Sequence, residues 1–165
     1  MRKGIFAGLV MAAAALGGAG AAEAQSTLPI SVEGRLDLGI PVGDSGDALD
    51  PGIGFGVTGA LQLTPLFAIY GGYSRFEFDF EGSSGERETE GGELGGRVTL
   101  GTGGGIYNPY FQFGALFHND ETGLEAGLGG FYPVGRNLSL TPMVRYRTVD
   151  KLDYVTVGVG LNLRF

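Results

Sequence analysis

The segment 154–165 alternates strictly between two kinds of residue. Its sequence is Y-V-T-V-G-V-G-L-N-L-R-F, with the apolar Val, Leu and Phe at odd positions and small or polar residues at most even ones. Period-two alternation of this regularity is typical of a β-strand with one face in an apolar medium and the other in a polar one. Such a strand leaves a sticky edge unless it finds a partner on each side. The segment therefore favours a closed sheet.

The first 24 residues have the three parts of a secretory signal peptide. Arg2 and Lys3 supply the charged start, an apolar run extends from Ile5 to about Leu16, and Ala22-Glu23-Ala24 forms an A-x-A cleavage site. We expect cleavage after Ala24, which leaves 25–165 as one domain. No later stretch approaches the roughly 18 apolar residues of a transmembrane helix. Export then leads to the periplasm, the medium or the outer membrane.

The composition excludes several classes of site. The chain has no cysteine, and this rules out a disulfide framework or a thiolate metal centre. Its net charge of −7 makes it a poor candidate for binding nucleic acid. Its 33 glycines argue against helices and for closely apposed or bent strands. We expect no cofactor and no nucleic-acid partner.

Alternation of the same kind recurs along the mature chain and predicts eight strands, most of them long enough for a tilted membrane crossing, which takes about 9–11 residues. The first, third, fifth and seventh connections are acidic, including 81–90, and the others are mostly short and nearly uncharged. This asymmetry is typical of outer-membrane barrels. Pro142 lies inside the seventh strand, where it costs a ladder hydrogen bond and suggests a bulge. The expected strands are 30–42, 53–63, 66–80, 93–100, 109–117, 123–134, 138–147 and 154–165.

Alternation alone does not separate a membrane barrel from a soluble lipocalin-like barrel, since the two place the same stripes on opposite sides. The polar faces carry equal numbers of arginines and carboxylates, whereas the loops carry the net negative charge. Neutrality suits a confined lumen because an unpaired buried charge is costly, and the arginine fork suits buried carboxylates. We predict a lumen ion-pair network with lipid outside. Its members are Glu33, Arg35, Asp37, Arg75, Glu77, Asp79, Glu93, Arg97, Glu125, Arg145, Arg147 and Arg164.

Aromatic residues on the apolar stripes are expected to face outward near the two lipid–water interfaces, as girdles do in membrane barrels. Those near strand ends are Phe76, Phe78, Phe80, Tyr132, Tyr146 and Phe165.

Glycine-rich stretches accompany the eight strands: Y-G-G-Y at 70–73, G-L-E-A-G-L-G-G-F-Y-P-V-G at 123–135 and L-S-L-T-P at 138–142. With eight strands they resemble the small outer-membrane barrel family that includes the transmembrane domain of outer membrane protein A and its X-type relatives. The resemblance covers roughly 28–165. It implies an all-β, eight-stranded antiparallel up-and-down transmembrane β-barrel in the cell outer membrane. It also implies contact with lipid and lipopolysaccharide, and delivery to the barrel-assembly machinery through the C-terminal strand. Phe165 is then part of the assembly signal, and we expect a monomer.

Two groups of side chains contain the residue types of a chemical site. His118, with Asp120, Glu121 and Ser83 or Ser84, could form a nucleophilic arrangement at the rim, but no ordered motif links them, and we expect a solvated histidine. Asp44, Asp47 and Asp50 fail the spacing of a calcium loop, and we expect no metal site there.

The leading functional hypothesis is a non-enzymatic barrel with a structural or surface-interaction role. The alternative is a narrow channel or carrier for small solutes. A large pore is excluded because eight strands enclose only enough room for side chains. A lipid A-modifying enzyme and a soluble lipocalin-like binder come next.

Overall fold

The computed structural model describes residues 29–46, 48–80, 82, 85–101, 106–119, 121–149 and 151–165. They form one closed barrel in which every strand is antiparallel to its neighbours in sequence and the last strand pairs with the first. This confirms the predicted eight-stranded up-and-down barrel. The predicted signal peptide, 1–24, lies outside the described residues. The strands are β1 (Ile30–Pro41), β2 (Gly52–Gln62), β3 (Phe67–Asp79), β4 (Glu86–Thr99), β5 (Asn108–His118), β6 (Glu121–Pro133), β7 (Leu138–Val149) and β8 (Leu152–Arg164).

The two ends of the barrel differ in their connections. We call the end that carries the β1–β2, β3–β4, β5–β6 and β7–β8 connections the loop end, and the end that carries residues 29 and 165 the terminal end. In the described ranges, no helix is long and apolar enough to cross a bilayer.

The register of the ladders fixes the tilt of the strands. A path through directly paired residues starts at Ser31 of β1, crosses the other seven strands and returns to β1 at Pro41, ten residues further along. Ten residues span about 33 Å and eight strand spacings about 38 Å, so the strands tilt by roughly 40° from the barrel axis. A barrel with eight such strands leaves an interior that side chains can fill.

The barrel has polar side chains on its inner face and apolar side chains on its outer face, the reverse of a soluble protein. On β1, Leu36 and Leu38 are exposed, whereas Glu33, Arg35 and Asp37 are at most 5 % exposed. The same pattern continues around the barrel, and a continuous apolar exterior of this extent marks a lipid-facing surface. The soluble lipocalin-like alternative is therefore wrong. Other exposed outward residues include Ile53, Phe55, Val57, Leu94, Phe113, Leu124, Leu128, Val144, Val157, Val159 and Leu161.

Glycines on the inner wall accommodate the large lumen side chains. A Cβ at Gly56 would overlap the guanidinium of Arg35, and Gly56 is the direct cross-strand partner of Arg35. Gly129 stands in the same relation to Tyr110. Each large side chain thus lies flat over the neighbouring strand, which is how a narrow barrel holds bulky residues. The same arrangement joins Gly54 to Phe76, Gly127 to Arg145 and Gly158 to Asp37.

Several strands extend further toward the loop end than the sequence predicts. The segment 81–90 was expected to be an acidic loop, but β4 already begins at Glu86 and pairs with β3 as far as Asp79. Both strands therefore continue beyond the apolar belt, and their acidic residues lie on a hairpin rather than on a loop. Charged side chains there face water, so they carry no penalty against strand formation.

Pro142 does not cause a bulge. The β6–β7 register is the same on both sides of it, with Gly129 opposite Met143 and Tyr132 opposite Leu140. The ladder to β6 is interrupted between these pairs, whereas the ladder to β8 continues through the pair of Pro142 and Val159. The N–H that proline lacks is thus missing from the ladder to β6 alone.

We predict that Leu128→Arg destabilises the folded barrel by about 2–4 kcal/mol, the cost of an arginine on the lipid face near the bilayer midplane. Leu128 lies near the middle of β6 and is 59 % exposed. The measurement is reversible urea unfolding in lipid vesicles. The control, Thr122→Arg on the same strand at the loop end, is expected to cost about 0–1 kcal/mol. Equal effects at both positions would contradict the lipid-facing assignment.

Candidate functional site: the lumen of the barrel

The centre of the lumen is an ion-pair group around Glu93 of β4. Its two carboxylate oxygens accept hydrogen bonds from Nη2 of Arg35 at 2.8 and 2.7 Å, and Arg147 Nη2 donates to Oε2 at 2.6 Å. Thr58 Oγ1 donates to Oε1 at 2.9 Å and accepts from Arg35 Nη1. Arg147 also donates to Ser74 Oγ at 2.9 Å. Glu93 therefore joins β1, β2, β4 and β7 through one buried carboxylate.

Two further carboxylates extend this group. Asp37 lies 3.2 Å from Arg35 Nε and 2.7 Å from Arg145 Nη2. Glu125 lies 2.7 Å from Arg147 Nη2 and 3.7 Å from Arg145 Nη1. The hydroxyl of Tyr70 donates to Glu125 Oε1 at 2.5 Å. Each charge has an opposite charge within contact distance, as a buried ionic group requires.

Arg97 forms the part of the network nearest the terminal end. Its guanidinium stacks 4.3 Å from the ring centre of Tyr110 and 5.4 Å from that of Phe131. Nη2 donates to Gln112 Oε1 at 3.2 Å and lies 3.6 Å from Glu33 Oε1. Cation–π stacking replaces part of the hydration that this arginine loses on burial.

The buried network is electrically neutral. It contains four arginines and four carboxylates, all at most 5 % exposed. The structure thus brings together eight of the predicted residues: Glu33, Arg35, Asp37, Glu93, Arg97, Glu125, Arg145 and Arg147. Sequence reasoning missed the neutral partners Thr58, Tyr70, Ser74 and Gln112. Thr58 and Gln112 lie on predicted polar faces that would have indicated them, whereas Tyr70 and Ser74 lie on the face of β3 that was predicted to point outward.

The predicted orientation of the charged residues of β3, which were expected inside the lumen, was wrong. Arg75, Glu77 and Asp79 face outward near the loop end, with Arg75 Nη2 2.6 Å from Glu77 Oε1 and 2.8 Å from Glu88 Oε2. Glu77 and Asp79 are exposed. The physical reason is that this half of β3 lies beyond the apolar belt, where the outer face meets water and tolerates charge. Arg164 is also outside the buried network, at the terminal mouth of the lumen.

An apolar cap closes the lumen at the loop end. Phe76 and Phe78, expected on the lipid face, are fully buried inside, and each ring packs edge-on against Tyr154 at 5.3 Å between ring centres. Leu49 of the β1–β2 connection folds over them and bridges to Phe80. Other members of the cap are Leu116, Val149 and Leu152.

The cap is held by the connection that contains Ser45. Ser45 Oγ donates to the carbonyl of Lys151 at 3.2 Å and accepts from the N–H of Asp153 at 3.2 Å. These bonds tie the β1–β2 connection to the β7–β8 turn. The loop end is therefore covered by packed side chains.

His118 is buried, not solvated at the rim as expected. Its Nε2 lies 3.4 Å from Ser74 Oγ and its Nδ1 lies 3.1 Å from Thr89 Oγ1. Both ring nitrogens are thus engaged by hydroxyls in the lumen. Asp120, Ser83 and Ser84, its hypothetical partners, lie outside the described residues.

Asp47, the middle residue of the acidic triplet in the β1–β2 connection, is also outside the described residues. Within the described part of the chain, no group of three or more histidine, aspartate or glutamate side chains is placed to hold a metal ion.

The comparisons with known proteins address the fold. No protein-family model and no curated protein matches the chain. Among solved structures, Neisserial surface protein A aligns with a TM-score of 0.64 at 14 % identity, over 87 % of this chain and 100 % of its own. Ail, the attachment invasion locus protein of Yersinia pestis, aligns with a TM-score of 0.60 at 15 % identity, over 84 % and 99 %. The chain has the fold of the small outer-membrane β-barrels.

A third structure agrees. The N-terminal β-barrel domain of Pseudomonas aeruginosa OprF aligns with a TM-score of 0.56 at 15 % identity, over 82 % of this chain and 97 % of the domain. At these identities the likeness concerns the backbone architecture. The lumen contacts described above belong to this chain.

We predict that Glu93→Gln lowers the free energy of unfolding by about 3–5 kcal/mol, because it leaves Arg35 and Arg147 buried without their shared carboxylate. The measurement is denaturant unfolding in lipid vesicles. Glu77→Gln is the control, since its partner Arg75 is partly exposed and such pairs contribute about 0–1 kcal/mol. A loss below about 1 kcal/mol for Glu93→Gln would show that the network does not act as the core of the barrel.

Proposed function

We propose that the protein is an integral outer-membrane β-barrel without enzymatic activity, which acts as a structural element of the membrane and as a surface for interaction at its loop end. The observation that carries this proposal is the closure of the lumen. The ion-pair network spans its cross-section from β1 to β7, and the apolar cap covers it at the loop end. A filled, sealed interior suits a scaffold better than a conduit or a reaction site.

The loop end supports the interaction role. Most of the described carboxylates lie there, at the tips of β3 and β4 and in the adjoining connections. These carboxylates outnumber the described cations of the loop end, and a net negative charge on the exposed end of a membrane-anchored protein favours partners of the opposite sign. Ail, one of the structural neighbours, is named for attachment and invasion; for this chain, surface interaction is our proposal.

The apolar exterior supports contact with outer-membrane lipid and, at the loop end, with lipopolysaccharide. We further propose that the barrel-assembly machinery receives the protein through β8 and Phe165, and that the barrel works as a monomer. Closure of β8 onto β1 satisfies both strand edges within one chain, so no second copy is needed to cover an edge.

Burial of His118 argues against the lipid A-modifying alternative. A catalytic base must reach a substrate within hydrogen-bonding distance, and this imidazole faces two hydroxyls inside the lumen. The structural role is the simpler account, since the pair of hydrogen bonds links β3, β4 and β5.

The channel alternative is tested by conductance. We expect the purified protein in a planar bilayer to give no steady single-channel steps, because the cap and the network lie in series along the lumen. The variant Phe76→Ala/Phe78→Ala is expected to stay closed as well, since Glu93 and its arginines remain below the cap. Steady steps from the wild-type protein would overturn the structural proposal in favour of a narrow channel.

The assembly role of Phe165 is tested by substitution. We expect Phe165→Ser to reduce the amount of assembled protein several-fold, measured as heat-modifiable gel mobility in the detergent-soluble envelope fraction. The serine retains the backbone bond that the Phe165 N–H donates to the carbonyl of Ile30. Phe117→Ser, which removes an exposed outward aromatic from β5, is the control and is expected to assemble. Normal assembly of Phe165→Ser would refute the proposed signal.

A further inference from the structure

A cavity of about 490 Å³ with both polar and apolar walls opens at the terminal end of the barrel. Its wall includes Arg136 of the β6–β7 turn and Arg164 of β8, with the amide or hydroxyl side chains of Gln62, Asn108 and Ser139 between them. No described aspartate or glutamate lines it. In a chain with 18 acidic and 11 basic residues, a cavity whose charged side chains among the described residues are all cations is a local reversal of charge.

The fold brings the two arginines together. Arg164 continues the inward-facing series of β8, and its backbone N–H donates to the carbonyl of Asn137 at 2.9 Å. This bond fixes the β6–β7 turn, and Arg136 within it, against the end of β8. Neither guanidinium takes part in any ion pair with a described residue, whereas Arg75 at the loop end contacts two carboxylates. The two cations at the terminal mouth therefore retain their full capacity to donate hydrogen bonds.

A further donor lies deeper on the same face. Asn162 is 3 % exposed, its Nδ2 has no hydrogen-bond partner, and it is directly opposite Ser139, which lines the cavity. A buried amide N–H without an acceptor is unfavourable unless a water or a ligand supplies one. Glu33, opposite Asn162 on β1, is negatively charged and would repel an anion from the lumen beyond this point.

We propose that this cavity is a binding site for a small anion bearing phosphate or carboxylate groups, held at the mouth between Arg136 and Arg164. Guanidinium groups bind such groups through paired, charge-assisted hydrogen bonds, and the surrounding amides and hydroxyls supply neutral donors. The position of Glu33 limits the ligand to the mouth. The site is reached from the end that carries the chain termini, opposite to the capped end.

The test is titration of the full chain, folded in a non-ionic detergent, with inorganic pyrophosphate and separately with tricarballylate, followed by calorimetry at low salt. We expect saturable 1:1 binding of at least one probe. Arg136→Gln and Arg164→Gln should each weaken it about tenfold, and the double variant should abolish it. Arg75→Gln, which removes an arginine at the opposite end, is the control and should bind like the wild type. Heat-modifiable gel mobility verifies that each variant is folded.

Two further titrations distinguish a lipid headgroup from a free anion as the natural ligand. The same titration is repeated in nanodiscs of phosphatidylcholine alone and in nanodiscs containing phosphatidylglycerol. Loss of probe binding only in the anionic discs identifies a lipid headgroup as the occupant, and unchanged binding identifies a free anion. Absence of saturable binding for both probes in detergent, or equal affinities of the double variant and the Arg75→Gln control, would overturn the proposal.

Discussion

The pairing of four arginines with four carboxylates inside a narrow tube is the interaction on which the structure depends. The exterior of the barrel faces lipid, so the usual hydrophobic core of a domain is turned outward and cannot hold the interior together. The interior must be filled with groups that satisfy one another. Glu93 shows how this works, since one carboxylate receives bonds from β1, β2 and β7 while it belongs to β4. Removal of any one charge leaves its partners in an environment that cannot solvate them.

The lumen changes character along its axis. The terminal mouth is open and carries two arginines, the middle is ionic and filled, and the loop end is aromatic and closed. Tyr154 joins the last two regions, since its ring packs on Phe76 and Phe78 close to Arg147, whose guanidinium lies 5.4 Å from the Phe76 ring centre. This gradation makes the two ends unequal. Our two proposals accordingly assign surface interaction to the loop end and anion binding to the terminal mouth.

The sequence was sufficient to predict the barrel and most of its lumen. In β1 and β7 the charged residues lie next to bulky apolar residues on the opposite face, Leu36 and Leu38 in β1 and Val144 and Tyr146 in β7. Arg35, Asp37, Arg145 and Arg147 were therefore correctly assigned to the inside. In β3 the inward and outward faces were assigned from the charged half nearer the loop end, in which Arg75 and its neighbours alternate with phenylalanines. That half lies above the lipid, and there either face of a strand tolerates charge.

The information needed for β3 was in its other half. Ile69 is exposed to lipid, whereas Ala68 and Tyr70 are buried in the lumen. In this half the large aliphatic residue, Ile69, marks the lipid face. The cap was not predictable from alternation at all, because it depends on Leu49 from a connection and on residues of four strands. Contacts among distant segments are set by register and closure, which a single strand does not reveal.

The apposition of a bulky residue with a glycine on the adjacent strand has a consequence for how such a protein can diverge. Enlarging Gly56 would displace Arg35, and shrinking Arg35 would leave a void above Gly56, so neither position is free to vary alone. The same holds for Tyr110 and Gly129. Substitutions inside the barrel are therefore expected to occur as compensating pairs across neighbouring strands, whereas positions on the lipid side can drift singly among apolar residues.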